Sequence, residues 1–310
     1  MARRLRIQFH GAIYHVINRG NYRRDVFETA DKAAAFERCL FETAERMKWR
    51  LYAVVLMRNH YHLALETPEP NLVEGMHWLQ CTFATRFNRF RQERGHLFQG
   101  RYQSLLIEPG PTLLRVVDYI HLNPVRAGIV PSERVAEFRW GSLRRFIKGD
   151  RPACLQSADW LREAGLTDSP EGWAGYTQQL QALAASPERQ QELGFAEMSR
   201  GWAIGTHGWR QALARDHAHR ALAPGLAIRE LVELKAARCE FELAKLLHAD
   251  GKSDADARDD FYSAPWKVAI AAALRQTTSA SNRWIAEKLH MGAPNSVSQY
   301  LSRRVSDKSG

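Results

Sequence analysis

Long apolar runs are missing. No stretch of the 310 residues approaches the roughly 20 that a bilayer crossing needs, so no membrane partner is expected. Met1-Ala2-Arg3-Arg4 is basic, but no apolar segment follows, so a secretory leader is not expected either. Cysteine is scarce and scattered. Cys39, Cys81, Cys154 and Cys239 form no Cys-x-x-Cys pair, which argues against a zinc ribbon or disulfide scaffold and fits a reducing, cytoplasmic setting. No internal repeat is visible, which sets aside solenoids and propellers.

What is present is a chain that is 45% hydrophobic and 25% charged, long enough to bury a sizeable core in about two domains. Its net charge is +10, and that charge is unevenly placed. Residues 1–150 hold 24 Lys and Arg against 15 Asp and Glu, whereas residues 151–310 hold 20 against 19. A localised basic excess points to a polyanion partner, nucleic acid first among them.

The first half alternates strand-like and helix-like runs. Gly11–Asn18 reads as a strand, followed by the turn residues Arg19-Gly20-Asn21. Asp31–Trp49 has Ala33, Phe36, Leu40 and Ala44 on one helical stripe. Leu51–Met57 and His60–Glu66 read as strands broken by Arg58-Asn59; Asn71–Arg91 reads as a long helix and Gln103–Glu108 as a short strand. Pro111 opens a helix expected to run to about Leu122. This order predicts an α+β fold, one antiparallel sheet with helices on one face, over residues 1–150. A helical region of no assignable role follows over 151–255, and Asp250–Asp260 reads as a linker or exposed loop. Residues 256–310 form a compact all-α unit whose helices, Trp266–Leu274, Ser281–Leu289 and Ala293–Arg304, resemble a helix-turn-helix. Asn295, Ser296, Ser298, Gln299 and Arg303 would face a DNA groove. A plain three-helix bundle for protein contacts remains the alternative.

Two constellations carry chemistry. On a strand, alternate side chains share a face, so His60 and His62 point one way and Tyr61 and Leu63 the other. Two imidazoles on one face are a ready pair of metal ligands, or two unrelated polar residues on a wet sheet. Tyr119 and Asn123, four apart, share a helix face. A phenol there can attack a phosphodiester, or pack with its hydroxyl at the core rim. The Asn123 amide can complete a His, His, Asn cation site, or cap a short helix beginning at Pro124. His121 lies about 200° around the helix from Tyr119 and is not expected to be its base.

Taken together, these residues resemble the single-tyrosine HUH transposases, specifically the REP-associated tyrosine transposases. The resemblance rests on Gly11–Asn18 with Arg19-Gly20-Asn21, on Met57-Arg58-Asn59-His60-Tyr61-His62-Leu63, on Phe98-Gln99-Gly100-Arg101-Tyr102, and on Tyr119 through Gly128, in family order over residues 5–148. It implies a ferredoxin-like domain that cuts and rejoins single-stranded DNA, often beside a hairpin, through a 5′-phosphotyrosine intermediate. Tyr119 would be the nucleophile and His60 and His62 the ligands of Mg²⁺ or Mn²⁺. Many relatives have glutamine four residues after the tyrosine, where this chain has Asn123.

Arginine clamps phosphate and aromatic rings stack on unpaired bases. On that ground the DNA-contact candidates are Arg3, Arg4, Arg19, Arg23, Arg24, Arg86, Arg89, Arg91, Gln99, Arg101, Tyr102, Arg126 and, in the C-terminal unit, Arg303. Phe87 reads better as core. The protein is expected to act as a monomer or homodimer. A non-catalytic DNA-binding regulator and a replication-initiator or relaxase-type nickase are the competing functions; the single tyrosine followed by Asn-Pro-Val-Arg-Ala-Gly favours the transposase.

Overall fold

A computed structural model describes residues 7–92, 94–217 and 232–307, with the side chains of 232, 233 and 303–307 outside that description. Arg3, Arg4 and the side chain of Arg303 therefore lie outside the described residues. The chain divides into two compact units, Gln8–Thr206 and a second that includes His207–Gly310.

In the first unit, strands β1 (Ala12–Arg19), β2 (Arg50–Met57), β3 (His60–Thr67), β4 (Gln103–Ile107) and β5 (Ala203–Ile204) build one sheet in the order β2-β3-β1-β4-β5. Every pairing is antiparallel except β4 with β5. With helices α1 (Ala30–Met47) and α2 (Leu72–Arg91) as its two crossovers, the β-α-β-β-α-β core has the ferredoxin-like strand order, and the short β5 extends its edge in parallel.

Local chemistry explains the elements. The Thr29 hydroxyl accepts from the Lys32 amide at the start of α1, and Ala33, Phe36, Leu40 and Ala44 form its buried stripe. That stripe and α2 cover the face carrying Tyr14, Val16, Tyr61 and Leu63. Phe36 lies 4.8 Å from Tyr61 and 5.0 Å from Phe83, ring centre to ring centre. The crossing of α1 and α2 depends on Gly75, because a Cβ there would sit 2.2 Å from Trp49 Cζ2. Asn71 locks the same corner, accepting from Trp49 Nε1 at 2.7 Å and donating to the Met47 carbonyl at 3.0 Å.

Helix α3 (Pro111–Arg126) leaves β4 through Gly110, whose φ of 79° favours glycine, and lies against β2 and β3 as a third layer on the other sheet face. It runs through Pro124 rather than stopping near Leu122. The Asn123 side chain donates to the Tyr119 carbonyl at 2.8 Å in the turn before that proline and does not cap a new helix.

The sequence places 151–255 apart as a helical region, but its first part packs into this unit. Helices α5 (Ala158–Glu163) and α6 (Pro170–Ala184), with α4 (Ser142–Lys148) from the preceding segment, close over α3, and α7 (Pro187–Glu192) follows. Aromatic burial is the cause: Phe146 stacks on Trp173 at 5.1 Å, and Trp160 meets Tyr176 at 5.0 Å.

The second unit is helical: α8 (His207–Asp216), α9 (Val232–Ala249), α10 (Asp254–Asp259), α11 (Pro265–Thr277), α12 (Asn282–Lys288) and α13 (Pro294–Asp307). Cys239, Leu243, Ile270, Leu274, Ile285, Leu289 and Val297 form its core. The linker expected over 250–260 contains helix α10, because Ser253 and Asp256 form a reciprocal capping box. Among the described residues no helix is long and apolar enough to cross a membrane.

Candidate active site

The β2–β3 hairpin brings His60 and His62 to the face beneath α3. Its two-residue connection is pinned by backbone bonds, Gly20 N–H to the Asn59 carbonyl at 2.7 Å and Phe27 N–H to the Arg58 carbonyl at 2.9 Å. The two rings share that face with centres 5.2 Å apart, while Tyr61 turns into the opposite core. In the register, Ile17 opposes His62 and Arg19 opposes His60. His15 therefore sits on the same face, diagonal to His62, with ring centres 5.1 Å apart.

Tyr119, Asn123 and Arg126 lie at i, i+4 and i+7 on one face of α3. The Tyr119 ring is edge-on to His62 at 5.7 Å and to His15 at 5.8 Å. The Arg126 guanidinium covers the Tyr119 ring at 4.9 Å and Phe195 at 5.5 Å. The Tyr119 hydroxyl and the Ser199 hydroxyl share a hydrogen bond of 3.1 Å. Tyr119, His60, His62 and Arg126 are thus joined by ring and guanidinium contacts, together with His15, Phe195 and Ser199, which sequence reasoning missed; Asn123 shares the helix face of Tyr119 and bonds its carbonyl.

The histidines are neutral for a physical reason. Burial pushes His15 down to about 4. Burial, then the positive charge of Arg19, pushes His60 down to about 4. His62 is held well below its ordinary value, first by burial and then by its basic neighbours. Hydrogen bonds occupy Nδ1 of both expected ligands: His62 with His15 Nε2 at 2.9 Å, and His60 with Asn59 Oδ1 at 2.8 Å. Nε2 of each ring is outside these bonds. Two neutral imidazoles with Nε2 available fit a divalent cation. The Asn123 amide oxygen is the remaining side-chain donor on that helix face, since its nitrogen bonds the Tyr119 carbonyl. Among the described residues there is no set of three or more His, Cys, Asp and Glu that could hold a metal by itself.

His121 faces away into a directional chain. The Val54 N–H donates to Ser142 Oγ at 2.9 Å, and the Ser142 hydroxyl to His121 Nε2 at 2.8 Å. His121 Nδ1–H in turn donates to Tyr176 Oη at 3.0 Å, and the Tyr176 hydroxyl to Asp118 Oδ1 at 2.7 Å. Its imidazole is engaged at both nitrogens, in keeping with the expectation that it is not a base for Tyr119.

Arg19 at the end of β1 and Arg23, Arg24, Gln99 and Arg101 on the segments beside it are exposed, and the Gln99 N–H bonds the Arg19 carbonyl at 2.8 Å. Arg89 and Arg91 are exposed at the end of α2 beside Phe90, which is 84% exposed, while Arg24 and Arg91 lie over the buried Phe87 ring at 5.4 and 5.9 Å. Two candidates change character. Tyr102 is buried, because the 97–102 segment is tied to residues 19–21 and carries its aromatics inward, so its ring offers no stacking surface. Arg86 is engaged between α1 and α2, with Glu42 Oε2 and Cys39 Sγ each at 3.0 Å. Tyr22, not singled out in the sequence, is 93% exposed.

Residues 8–123 match the family described as "Transposase IS200 like". A Haemophilus influenzae protein named as a REP-associated tyrosine transposase is 27% identical over 130 residues, covering 38% of this chain and 70% of that protein. Two solved structures are similar at lower levels. One, titled as a REP-associated tyrosine transposase bound to a REP hairpin, covers 52% of this chain and 93% of its own at 18% identity, with a TM-score of 0.41. The other, described as a transposase of Deinococcus radiodurans, covers 49% of this chain and 99% of its own at 19% identity, with a TM-score of 0.29. The likeness to IS200-like transposases therefore spans residues 8–123, the part of the chain that carries β1 to β4, both expected histidine ligands and Tyr119.

Proposed function

We propose that this chain cleaves and rejoins single-stranded DNA beside a hairpin, with Tyr119 as nucleophile and a divalent cation, Mg²⁺ or Mn²⁺, at His60 and His62. The observation that carries the reading is the meeting of the Tyr119 ring with His62 at 5.7 Å, with His60 beside His62 on the same strand face at 5.2 Å. The hairpin form of the substrate is what the motif resemblance to REP-associated tyrosine transposases implies, and the 27% identity to a protein of that name supports the resemblance.

In this reading the Tyr119 phenol loses its proton and its oxygen bonds the scissile phosphorus. The phosphorus–O3′ bond breaks, the O3′ leaves protonated, and the 5′-phosphate stays on the tyrosine. Rejoining reverses the exchange: an incoming 3′-hydroxyl attacks the phosphotyrosine and the phenol is regenerated. The cation, when bound, would offset the charge that develops on the phosphate oxygens. Arg126 orients the phenol by lying over its ring and adds positive charge where the phosphate arrives. Ser199 holds the hydroxyl in place through its hydrogen bond. Arg19, Arg23, Arg24, Arg89, Arg91, Gln99 and Arg101 would track the flanking backbone.

The second unit fits a duplex-contact role. Helices α12 and α13 are joined through His290 and Gly292, both with positive φ, and Asn295 and Gln299 are exposed on α13.

The test uses a labelled hairpin oligonucleotide with single-stranded flanks and Mn²⁺, resolved on a denaturing gel. The native chain is expected to form a denaturant-resistant adduct, Tyr119→Phe none, and His60→Ala or His62→Ala at least ~100-fold less. An adduct undiminished in Tyr119→Phe refutes the assignment.

A further inference from the structure

Resting on the cation reading of His60 and His62, we infer that His15 is a positioning residue that fixes His62 in the one neutral tautomer whose Nε2 can bind a metal. The inference follows from which atoms can donate. The Met198 carbonyl can only accept, so its 2.7 Å bond to His15 Nδ1 places a proton on that nitrogen. His15 is fully buried in the centre of β1 and neither of its bonds is to a carboxylate, so the ring is neutral and its Nε2 carries a lone pair. The 2.9 Å bond from that Nε2 to His62 Nδ1 then requires His62 to be the donor. With its proton on Nδ1, neutral His62 has a lone pair on Nε2. The near-parallel rings, 28° between planes, also restrain the rotation of His62 about its side chain.

The chain from the Met198 carbonyl through His15 to His62 has the form of an outer-shell partner to a metal ligand, with imidazole in place of the usual carboxylate or backbone oxygen. The matching bond at His60 is local, donated by its Nδ1–H to the side-chain oxygen of its own neighbour Asn59, and reaches the same result, Nδ1 protonated and Nε2 presented. Two ligands are thus aligned by different means, and the His62 arm depends on residues 183 positions apart.

Nitrogen-15 spectra of the metal-free, full-length protein read the tautomer directly. The native chain is expected to show His62 with its proton on Nδ1. His15→Phe removes the acceptor; His62 should then shift toward the Nε2–H form, and Mn²⁺ affinity, followed by the paramagnetic signal of free Mn²⁺, should fall about 10–100-fold. His15→Gln, whose side-chain oxygen can accept from His62, should recover most of that affinity. It also serves if the phenylalanine variant fails to fold. A native His62 protonated on Nε2 overturns the inference, as does a His15→Phe protein that folds and binds Mn²⁺ with native affinity. A native chain that binds no Mn²⁺, while its spectra show the expected tautomer, overturns the cation reading instead, so the two failures are distinguishable.

Discussion

Replacing Asp118 by Asn should stabilise the folded chain at alkaline pH, and the effect should vanish in acid. The Asp118 carboxyl sits under α6 with the Tyr176 hydroxyl as its hydrogen-bond donor, and burial pushes it up to about 7. A carboxyl moved there from its ordinary value of about 3.9 holds its proton roughly a thousandfold more tightly in the folded state, about 4 kcal/mol were it fully dry. The residue is only partly buried, so solvent screening reduces this to about 2 kcal/mol. The sign is fixed by proton counting. Below about pH 4 both states are protonated and nothing is lost. Between about 4 and 7 the folded chain keeps a proton that the unfolded chain releases, so stability falls as pH rises; above 7 the loss is complete. Asparagine offers the same acceptor to Tyr176 with no charge to desolvate. Urea unfolding followed by tryptophan fluorescence should find Asp118→Asn more stable than the native chain by about 2 kcal/mol at pH 8 and indistinguishable near pH 4. His121, pushed by burial down to about 3, stays neutral in both folded proteins across this range, so its own titration does not produce the difference. A variant less stable at pH 8, or a difference that does not change with pH, would refute the reasoning.

Gly75→Ala should lower the thermal midpoint by an amount matching about 1–3 kcal/mol, because the new methyl group meets the Trp49 ring at 2.2 Å and that ring is fixed by Asn71; an unchanged midpoint would show that the α1–α2 corner yields freely. Arg126→Ala should weaken single-stranded DNA binding and reduce the slope of log affinity against log salt by about one, with an unaltered slope counting against a phosphate contact by this side chain.

The helices and strands of residues 12–126 were legible because each buries a simple stripe. The Ala33, Phe36, Leu40 and Ala44 series of α1 and the His60, His62 alternation of β3 read directly as periods of 3.6 and 2. Tyr119 and Asn123 were legible for the same reason on α3. His15 was not. A lone histidine in a strand carries no signal until the register places it diagonal to His62. Ser199 and Phe195 were hidden by distance, since the sequence gives no sign that 195–204 returns to pair with β4 at the sheet edge. Tyr102 looked like a loop aromatic free to stack, but bridging of its segment to β1 turned it inward. Asp250–Asp260 looked like a linker by composition, while Ser253 and Asp256, a serine with an acid three residues on, were already spaced to cap a helix.

The electrostatics of the pocket explain why it would suit a phosphodiester. Three imidazoles are kept neutral by burial, and the arginines beside them add to that effect: Arg19 disfavours a proton on His60, and both Arg19 and Arg126 do so on His62. A site of neutral nitrogen donors flanked by guanidinium groups carries a positive field with no buried carboxylate bonded to its histidines. An anionic ligand lowers the energy of that arrangement, whereas a neutral one leaves it unchanged. The family match ends at residue 123, yet Met198 orients His15, Ser199 bonds the phenol, and Phe195 shares the Arg126 guanidinium with Tyr119. Tyr119, His60 and His62 thus lie within the matched span, Arg126 follows just after it, and their orientation is completed by a segment some 75 residues beyond it, held in place by the Trp202 carbonyl and β5 along β4. Fixing the Tyr119 phenol and its neighbours from two sides in this way would, on the proposed reading, reduce the freedom lost when a substrate arrives, which is where positioning contributes most to rate.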